Sequence, residues 1–194
     1  MHSMITVQSV NLFLSQLTLL SGALLVLGLF TGAYAILSGN LKKFLAYPLF
    51  RFISSRALML SFIVALAATL GSLFYSEIAG YTPCKLCWYQ RILMYPQAVM
   101  LGIAAARKDN GIVLYGLVLS GIGAAIAAYH YLLQIGLVDE IAPCTTVGYS
   151  VSCTETFTMT YGFITIPFMS LVAFLLIIAL LTFHLVATRQ LKRK

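Results

Sequence analysis

Long apolar stretches alternate with short polar connections along the chain. Five of them reach the length needed to cross a bilayer as a helix, about 20 mostly apolar residues. They cover residues 10–37, 56–77, 88–106, 112–135 and 162–187. The connections carry turn-forming and polar residues: Ser38-Gly39-Asn40-Leu41-Lys42-Lys43, Asp109-Asn110-Gly111, and the Thr/Ser-rich stretch from Pro143 to Thr160. No period-two alternation of the outer-membrane barrel type runs through the chain. The pattern predicts an all-α integral membrane protein with five spans. Residues 1–53 form an N-terminal transmembrane helix with a basic linker, and residues 54–194 form a four-helix bundle.

Charge positions set the orientation. Ten of the twelve Lys and Arg residues fall on one side. Lys42, Lys43, Arg51 and Arg56 lie between spans one and two, Arg107 and Lys108 between spans three and four, and Arg189, Lys192, Arg193 and Lys194 in the tail. The positive-inside rule makes that side cytoplasmic, so the N-terminus faces out and the C-terminus in. Composition agrees: 61% of residues are hydrophobic and only 9% charged, against about 25% charged in a soluble domain. The net charge of +7 is thus a topology signal, with no nucleic-acid partner implied. Ala33-Tyr34-Ala35 resembles a signal-peptide cleavage site, but the first ten residues hold no Lys or Arg. Cleavage would also carry Lys42 and Lys43 outward, so span one is read as retained. In span four, Gly116, Ser120, Ala124 and Ala128 recur every four residues, with Gly123 and Ala127 beside them. Close helix packing is the ordinary reason for such a face, and a cofactor-cavity wall is the alternative.

The four cysteines, Cys84, Cys87, Cys144 and Cys153, all fall in the two outside loops or at the helix ends bordering them. An even count outside the cytoplasm points to disulfide chemistry. Two structural disulfides, Cys84–Cys87 and Cys144–Cys153, are one reading. A bridge across Cys-x-x-Cys removes little chain entropy, however, and such a pair is more often reactive. A four-thiolate zinc site is the third reading, and Cys144 and Cys153 lack the short zinc-ribbon spacing.

Local chemistry favours redox work. Cys87 sits at the start of span three, where free N–H groups and the macrodipole stabilise an anion. Arg91, four residues on, adds a permanent positive charge on the same helix face. Both are expected to enrich the Cys87 thiolate, the form that performs exchange. Trp88 and Tyr89 fit an interfacial aromatic belt. His130 and Gln134 share one face of span four at about the depth of Arg91, spaced to hydrogen-bond a ring carbonyl, although an interfacial His is also common. With no haem, flavin or iron–sulfur motif in the chain, a lipid-soluble quinone is the acceptor that needs no motif, only a pocket beside the thiolate.

The segment Pro83-Cys84-Lys85-Leu86-Cys87-Trp88-Tyr89-Gln90-Arg91 resembles the signature of the disulfide bond formation protein B family, closer to its Gram-positive-type branch. Tyr129-His130-Tyr131-Leu132-Leu133-Gln134 is similar to the end of the third of that family's four helices. Pro143-Cys144, Cys153 and Gly162-Phe163-Ile164-Thr165-Ile166-Pro167 resemble its second redox loop and the start of its last helix. The likeness covers about residues 54 to 190. It implies a quinone-dependent thiol oxidase of the bacterial cytoplasmic membrane, with redox loops facing the periplasm or cell exterior and its spans against membrane lipid. It also implies a thioredoxin-like, DsbA-like dithiol partner that attacks Cys144, with Cys153 as the paired sulfur. Electrons then pass to Cys84 and on to Cys87 beside ubiquinone or menaquinone. The same resemblance implies that Arg91, His130 and Gln134 contact the quinone.

Two features depart from the pattern. Only eight residues separate Cys144 from Cys153, and span one has no counterpart among the four family helices. A vitamin K epoxide reductase-like enzyme is a rival, but its active pair follows the loop cysteines, whereas Cys84 and Cys87 come first here. A non-enzymatic membrane scaffold with structural disulfides, or a metal-handling protein, are rivals from other classes.

Overall fold

A computed structural model describes residues 2–139 and 151–192, with side chains described over 6–139 and 151–190. Seven α-helices form: α1 (His2–Leu37), α2 (Leu41–Ala46), α3 (Pro48–Ser55), α4 (Ala57–Leu73), α5 (Lys85–Arg107), α6 (Ile112–Gln134) and α7 (Ile166–Lys192). Among the described residues there is no β-strand, only an isolated bridge between Thr160 and Ile164. The five long helices overlie the five expected segments, with ends that agree to within five residues except at the start of α1, which begins eight residues earlier. The linker after span one adds two short helices that the apolar pattern did not announce. They are separated because Tyr47 precedes Pro48: it is held extended (φ −63°, ψ 137°), and Pro48 opens α3. At the end of α5, Lys108 takes the left-handed conformation (φ 54°) and its N–H returns to the Ala104 carbonyl, closing the helix.

Four of the long helices are apolar enough on their own to span a membrane: Thr6–Leu37, Ala57–Ile78, Ile112–Gln134 and Ile166–Gln190. The expected third span, in α5, is as long but more polar, because Gln90, Arg91 and Gln97 interrupt it. Both glutamines turn inward and are buried. Gln97 Nε2 donates to the Leu93 carbonyl at 3.0 Å, and Ser120 Oγ of α6 donates to Gln97 Oε1 at 2.8 Å. A buried amide satisfied in this way costs far less than one left facing hydrocarbon.

Helices α4, α5, α6 and α7 pack in a ring, each against the next and α7 back against α4, and α1 lies against α7 outside it. Phe174, Ile177 and Leu181 of α7 pack with Leu101 of α5 and Val113 and Ala127 of α6 in the buried centre. The small-residue face of α6 serves this packing. A Cβ on Gly123 would come within 2.4 Å of the Phe174 ring, and one on Gly116 within 2.8 Å of Leu181 Cδ1. The packing reading of that face therefore holds, and none of its residues lines the larger cavity described below.

The bundle has two chemically distinct ends. One carries Lys42, Lys43, Arg51, Arg56, Arg107 and Lys108 in and beside α2, α3 and the α5–α6 turn. There His184 Nδ1 donates to the Ser54 carbonyl at 2.8 Å while its Nε2 lies 2.8 Å from Asn110 Oδ1, tying α7 to both connections. The other end carries Cys84, Cys87 and Cys153. There α4 ends in a π-helical turn, Phe74–Ile78, closed by the Ala79 N–H to the Phe74 carbonyl (3.0 Å). From this turn Tyr75 stacks on Tyr81, and Tyr81 on Phe157, so one aromatic column joins α4, the cysteine loop and the second loop.

Gly123→Val is expected to destabilise the bundle by about 1–3 kcal/mol through overpacking against Phe174. Gly22→Ala, with open space around its Cβ, is expected to leave stability nearly unchanged. Thermal unfolding in detergent compares the two, and equal melting temperatures would contradict the packing described.

Candidate active site

Pro83 leads the chain into α5 and Cys84 is its N-cap, in extended conformation (φ −74°, ψ 172°). Its Sγ accepts the Cys87 backbone N–H at 3.3 Å, a bond that a capping oxygen usually makes. The Cys-x-x-Cys spacing brings Cys87 one turn along on the same side, with Sγ–Sγ 3.0 Å. Both sulfurs are free thiols.

Two further groups converge on Cys84. His130, 1% exposed, has its Nε2 3.6 Å from Cys84 Sγ and 3.2 Å from the Cys153 carbonyl. Its Nδ1 lies 3.0 Å from Gln90 Nε2, an amide donor that also reaches the Leu86 carbonyl. Gln90 donating to Nδ1 leaves the ring hydrogen on Nε2. From there it is shared between the sulfur of one redox loop and the backbone of the other. Cys153 is disulfide-bonded and fully buried, and it packs with Cys84 and Leu133. Cys144 lies outside the described residues.

The structure redistributes charge relative to the sequence expectation. Helix position and Arg91 were expected to favour a thiolate at Cys87. Instead the hydrogen bond from the Cys87 thiol, helped by the hydrogen bond from His130, holds Cys84 down to about 4 against the opposing effect of burial. Arg91 is anchored to α4, its Nε donating to Ser72 Oγ and its Nη2 to the Ser72 carbonyl, each at 2.9 Å. Its guanidinium sits 5.3 Å from the Trp88 ring centre and 5.9 Å from that of Tyr95, and Tyr95 Oη donates to the same Ser72 hydroxyl.

Two cavities meet at this pair. The larger, about 230 Å³, lies among α1, α4, α5 and α7 and is mostly apolar. Arg91, Ser72, Tyr75 and Cys87 supply polar groups toward its cysteine end. The smaller is lined by Cys84, Cys87, His130, Gln134, Glu155 and Phe157, among others. Cys87 borders both, whereas Cys84 borders only the smaller. The sequence reading grouped Arg91, His130 and Gln134 at one ligand. Here Arg91 lines the larger cavity and the other two line the smaller, where Gln134 Nε2 donates to the Glu155 carbonyl at 2.9 Å. Ser72 and Gln90 were not singled out from sequence. The four-residue step from Leu86 to Gln90 carried no signal without knowing that α6 lies against that face.

Ligand atoms of Cys84, Cys87 and His130 all lie within 4.8 Å of one another. This cluster differs from the four-thiolate site weighed above, since a histidine and not the second cysteine pair completes it.

Residues 54–184 match the family described as disulfide bond formation protein DsbB. The chain is 46% identical over 138 residues to a probable disulfide formation protein of Oceanobacillus iheyensis, covering 71% of this chain and 92% of the relative. It is 49% identical over 119 residues to disulfide bond formation protein C of Bacillus subtilis, covering 61% of this chain and 84% of the relative. A probable disulfide formation protein of Deinococcus radiodurans is 46% identical over 133 residues, covering 64% and 86% respectively. No solved structure matches the chain.

In the reduced protein with Cys144→Ser and Cys153→Ser, Cys84 is expected to stay a thiolate on acidification until the pH falls through about 4. Removing the thiol donor by Cys87→Ala is expected to move that titration upward toward the ordinary value of about 8.5. Ultraviolet thiolate absorbance follows both, and an unshifted titration in Cys87→Ala would refute the assigned cause.

Proposed function

The chain belongs to the disulfide bond formation protein DsbB family and is a disulfide-generating membrane oxidoreductase, and we propose that it carries electrons from an extracytoplasmic dithiol protein to a quinone in the larger cavity. The observation that carries this reading is the position of Cys87, which borders both cavities, with Cys84 behind it among the second-loop groups.

The relay runs in four exchanges. A thiolate of the thioredoxin-like, DsbA-like partner attacks Cys144 of a Cys144–Cys153 disulfide, forming a mixed disulfide and releasing Cys153 as a thiolate. The complete burial of Cys153 supports Cys144 as the sulfur the partner reaches. The partner's second thiol then resolves the mixed disulfide, leaving with both of its sulfurs oxidised and Cys144 reduced. Cys153 attacks Cys84 in the oxidised Cys84–Cys87 pair, forming Cys84–Cys153 and releasing Cys87 as a thiolate. Attack by Cys144 on Cys153 restores the second-loop disulfide and leaves Cys84 and Cys87 as the dithiol. Two electrons and two protons have then moved from the partner to that pair. The Nε2–H of His130 is suited to stabilise negative charge on Cys84 as it leaves, and Gln90 holds the ring in that tautomer. Gln134 steadies the second loop through the Glu155 carbonyl.

The larger cavity fits a quinone by the character of its wall: apolar along its length, with a guanidinium and hydroxyls beside the reactive sulfur. When bound, the quinone, whether ubiquinone or menaquinone, accepts the electron pair and two protons and so reoxidises the Cys84–Cys87 pair. Arg91 is pre-positioned by Ser72 to offer positive charge to a ring oxygen. We read α5 as a fifth crossing, shielded by α4 and α6, with the cysteine end facing outside and the basic end the cytoplasm of a bacterial cell.

Quinone reduction by the purified protein in detergent, driven by a reduced thioredoxin-like dithiol protein, tests the reading. Cys87→Ser is expected to abolish turnover, and an unchanged rate would sink the mechanism. Arg91→Gln is expected to raise the quinone KM about tenfold or more, the loss of one charge-assisted contact, with little change in the partner's KM. Equal effects on both would remove Arg91 from the quinone site.

A further inference from the structure

Helix α1 precedes the family match, which begins at residue 54, and yet it forms part of the larger cavity. Leu14, Leu17, Thr18 and Ser21 line it, opposite Arg91, Tyr95 and Met94 of α5. The helix is fastened at the matching depth. Asn11 accepts from Tyr75 Oη at 2.9 Å through its Oδ1 and donates to Thr160 Oγ1 at 3.0 Å through its Nδ2. One residue thus ties α1 to the π-helical turn of α4 and to the loop before α7. Below this clasp Leu14 lies against Gly71, where a Cβ would stand 3.3 Å from Leu14 Cδ1. A rise of about 1.5 Å per residue carries Thr18 roughly 10 Å inward from Asn11. The polar groups on this face of α1 are turned inward: Ser15 and Thr18 are buried and return their hydroxyls to the carbonyls of Asn11 and Leu14. The opposite face, with Leu20, Leu27 and Phe30, is exposed as a lipid-facing surface.

We propose that α1 is a specificity-determining wall of the quinone site: it closes the face between α4 and α7 and sets how tightly the ring is held beside Cys87 and Arg91. This rests on the quinone reading above. The four-helix ring supplies the reactive sulfur and the cation, and α1 supplies enclosure. Side-chain bulk at Leu14, Thr18 and Ser21 therefore controls quinone affinity without touching exchange with the protein partner, whose sulfurs lie on the other side of Cys84.

Equilibrium binding of a short-tailed ubiquinone analogue, read by quenching of Trp88, the chain's single tryptophan, gives a measure independent of turnover. Thr18→Phe, which pushes a ring into the cavity, is expected to raise Kd at least tenfold. Leu27→Phe, on the exposed face of the same helix, is expected to leave Kd within twofold of wild type. Single-turnover oxidation of the dithiol partner without added quinone is expected to match wild type in both, which also reports an intact fold. Ser21→Leu intrudes more gently from the same wall and decides the matter if Thr18→Phe fails that fold check. An unchanged Kd in a folded intruding variant, or an equal rise in Leu27→Phe, would overturn the proposal. Wild-type protein that oxidises the partner but binds no quinone would overturn the quinone reading beneath it.

Discussion

The hydrogen bond from the Cys87 backbone N–H to Cys84 Sγ is the interaction on which the arrangement of the site depends. It makes a redox sulfur the cap of a long helix, so the position of Cys84 is set by the same geometry that starts α5. Everything functional along that helix then follows by rotation. Successive residues diverge by about 100°, so Gln90 turns to His130 on α6 while Arg91, its neighbour, turns to Ser72 on α4. Both residues line the larger cavity, but the Gln90 amide is engaged by His130 and the Leu86 carbonyl while the Arg91 guanidinium is held from α4.

Keeping these groups inside an apolar bundle requires that each find a partner, because an unsatisfied polar group in hydrocarbon costs several kcal/mol. The pairings run through the molecule: Gln97 with Ser120 at mid-bundle, His184 with Ser54 and Asn110 at the basic end, Gln90 with His130 at the cysteine end. The last of these also has chemical consequence. By occupying Nδ1, Gln90 points the Nε2 hydrogen of His130 at Cys84 and at the Cys153 backbone, where charge has to be accommodated as disulfides exchange.

In the proposed relay the two cavities give direction to electron flow. Cys84 belongs to the buried cluster with Cys153, and Cys87 opens onto the apolar cavity that Arg91 borders. A dithiol in which one sulfur is confined to the smaller cavity and the other reaches both can accept electrons at the first and release them at the second. α1 lines the larger cavity and not the smaller, so in the proposed relay an element outside the family's own match shapes the acceptor side.

Much of this was legible from sequence, for local reasons. The long helices came out within five residues, the start of α1 aside, because apolar length and the turn residues between them are local properties, and cysteine sidedness followed from alternating Lys and Arg. Pro83-Cys84 through Arg91 marked a capped helix start with reactive sulfur, since N-cap and i,i+4 geometry need only the sequence itself. Other features waited for tertiary structure. Which thiol carries charge depends first on how the two sulfurs are set against each other at the helix start, and then on His130 arriving from another helix. That His130 and Gln134 share a face and sit near the depth of Arg91 was readable, but the face points at the second loop and not into Arg91's cavity. A membrane helix apolar on every side carries little rotational information in its hydrophobic pattern. The same reason hid the role of α1: its composition said that it could cross a membrane, and only its packing against α7, with Asn11 reaching Tyr75 and Thr160, decided what it encloses.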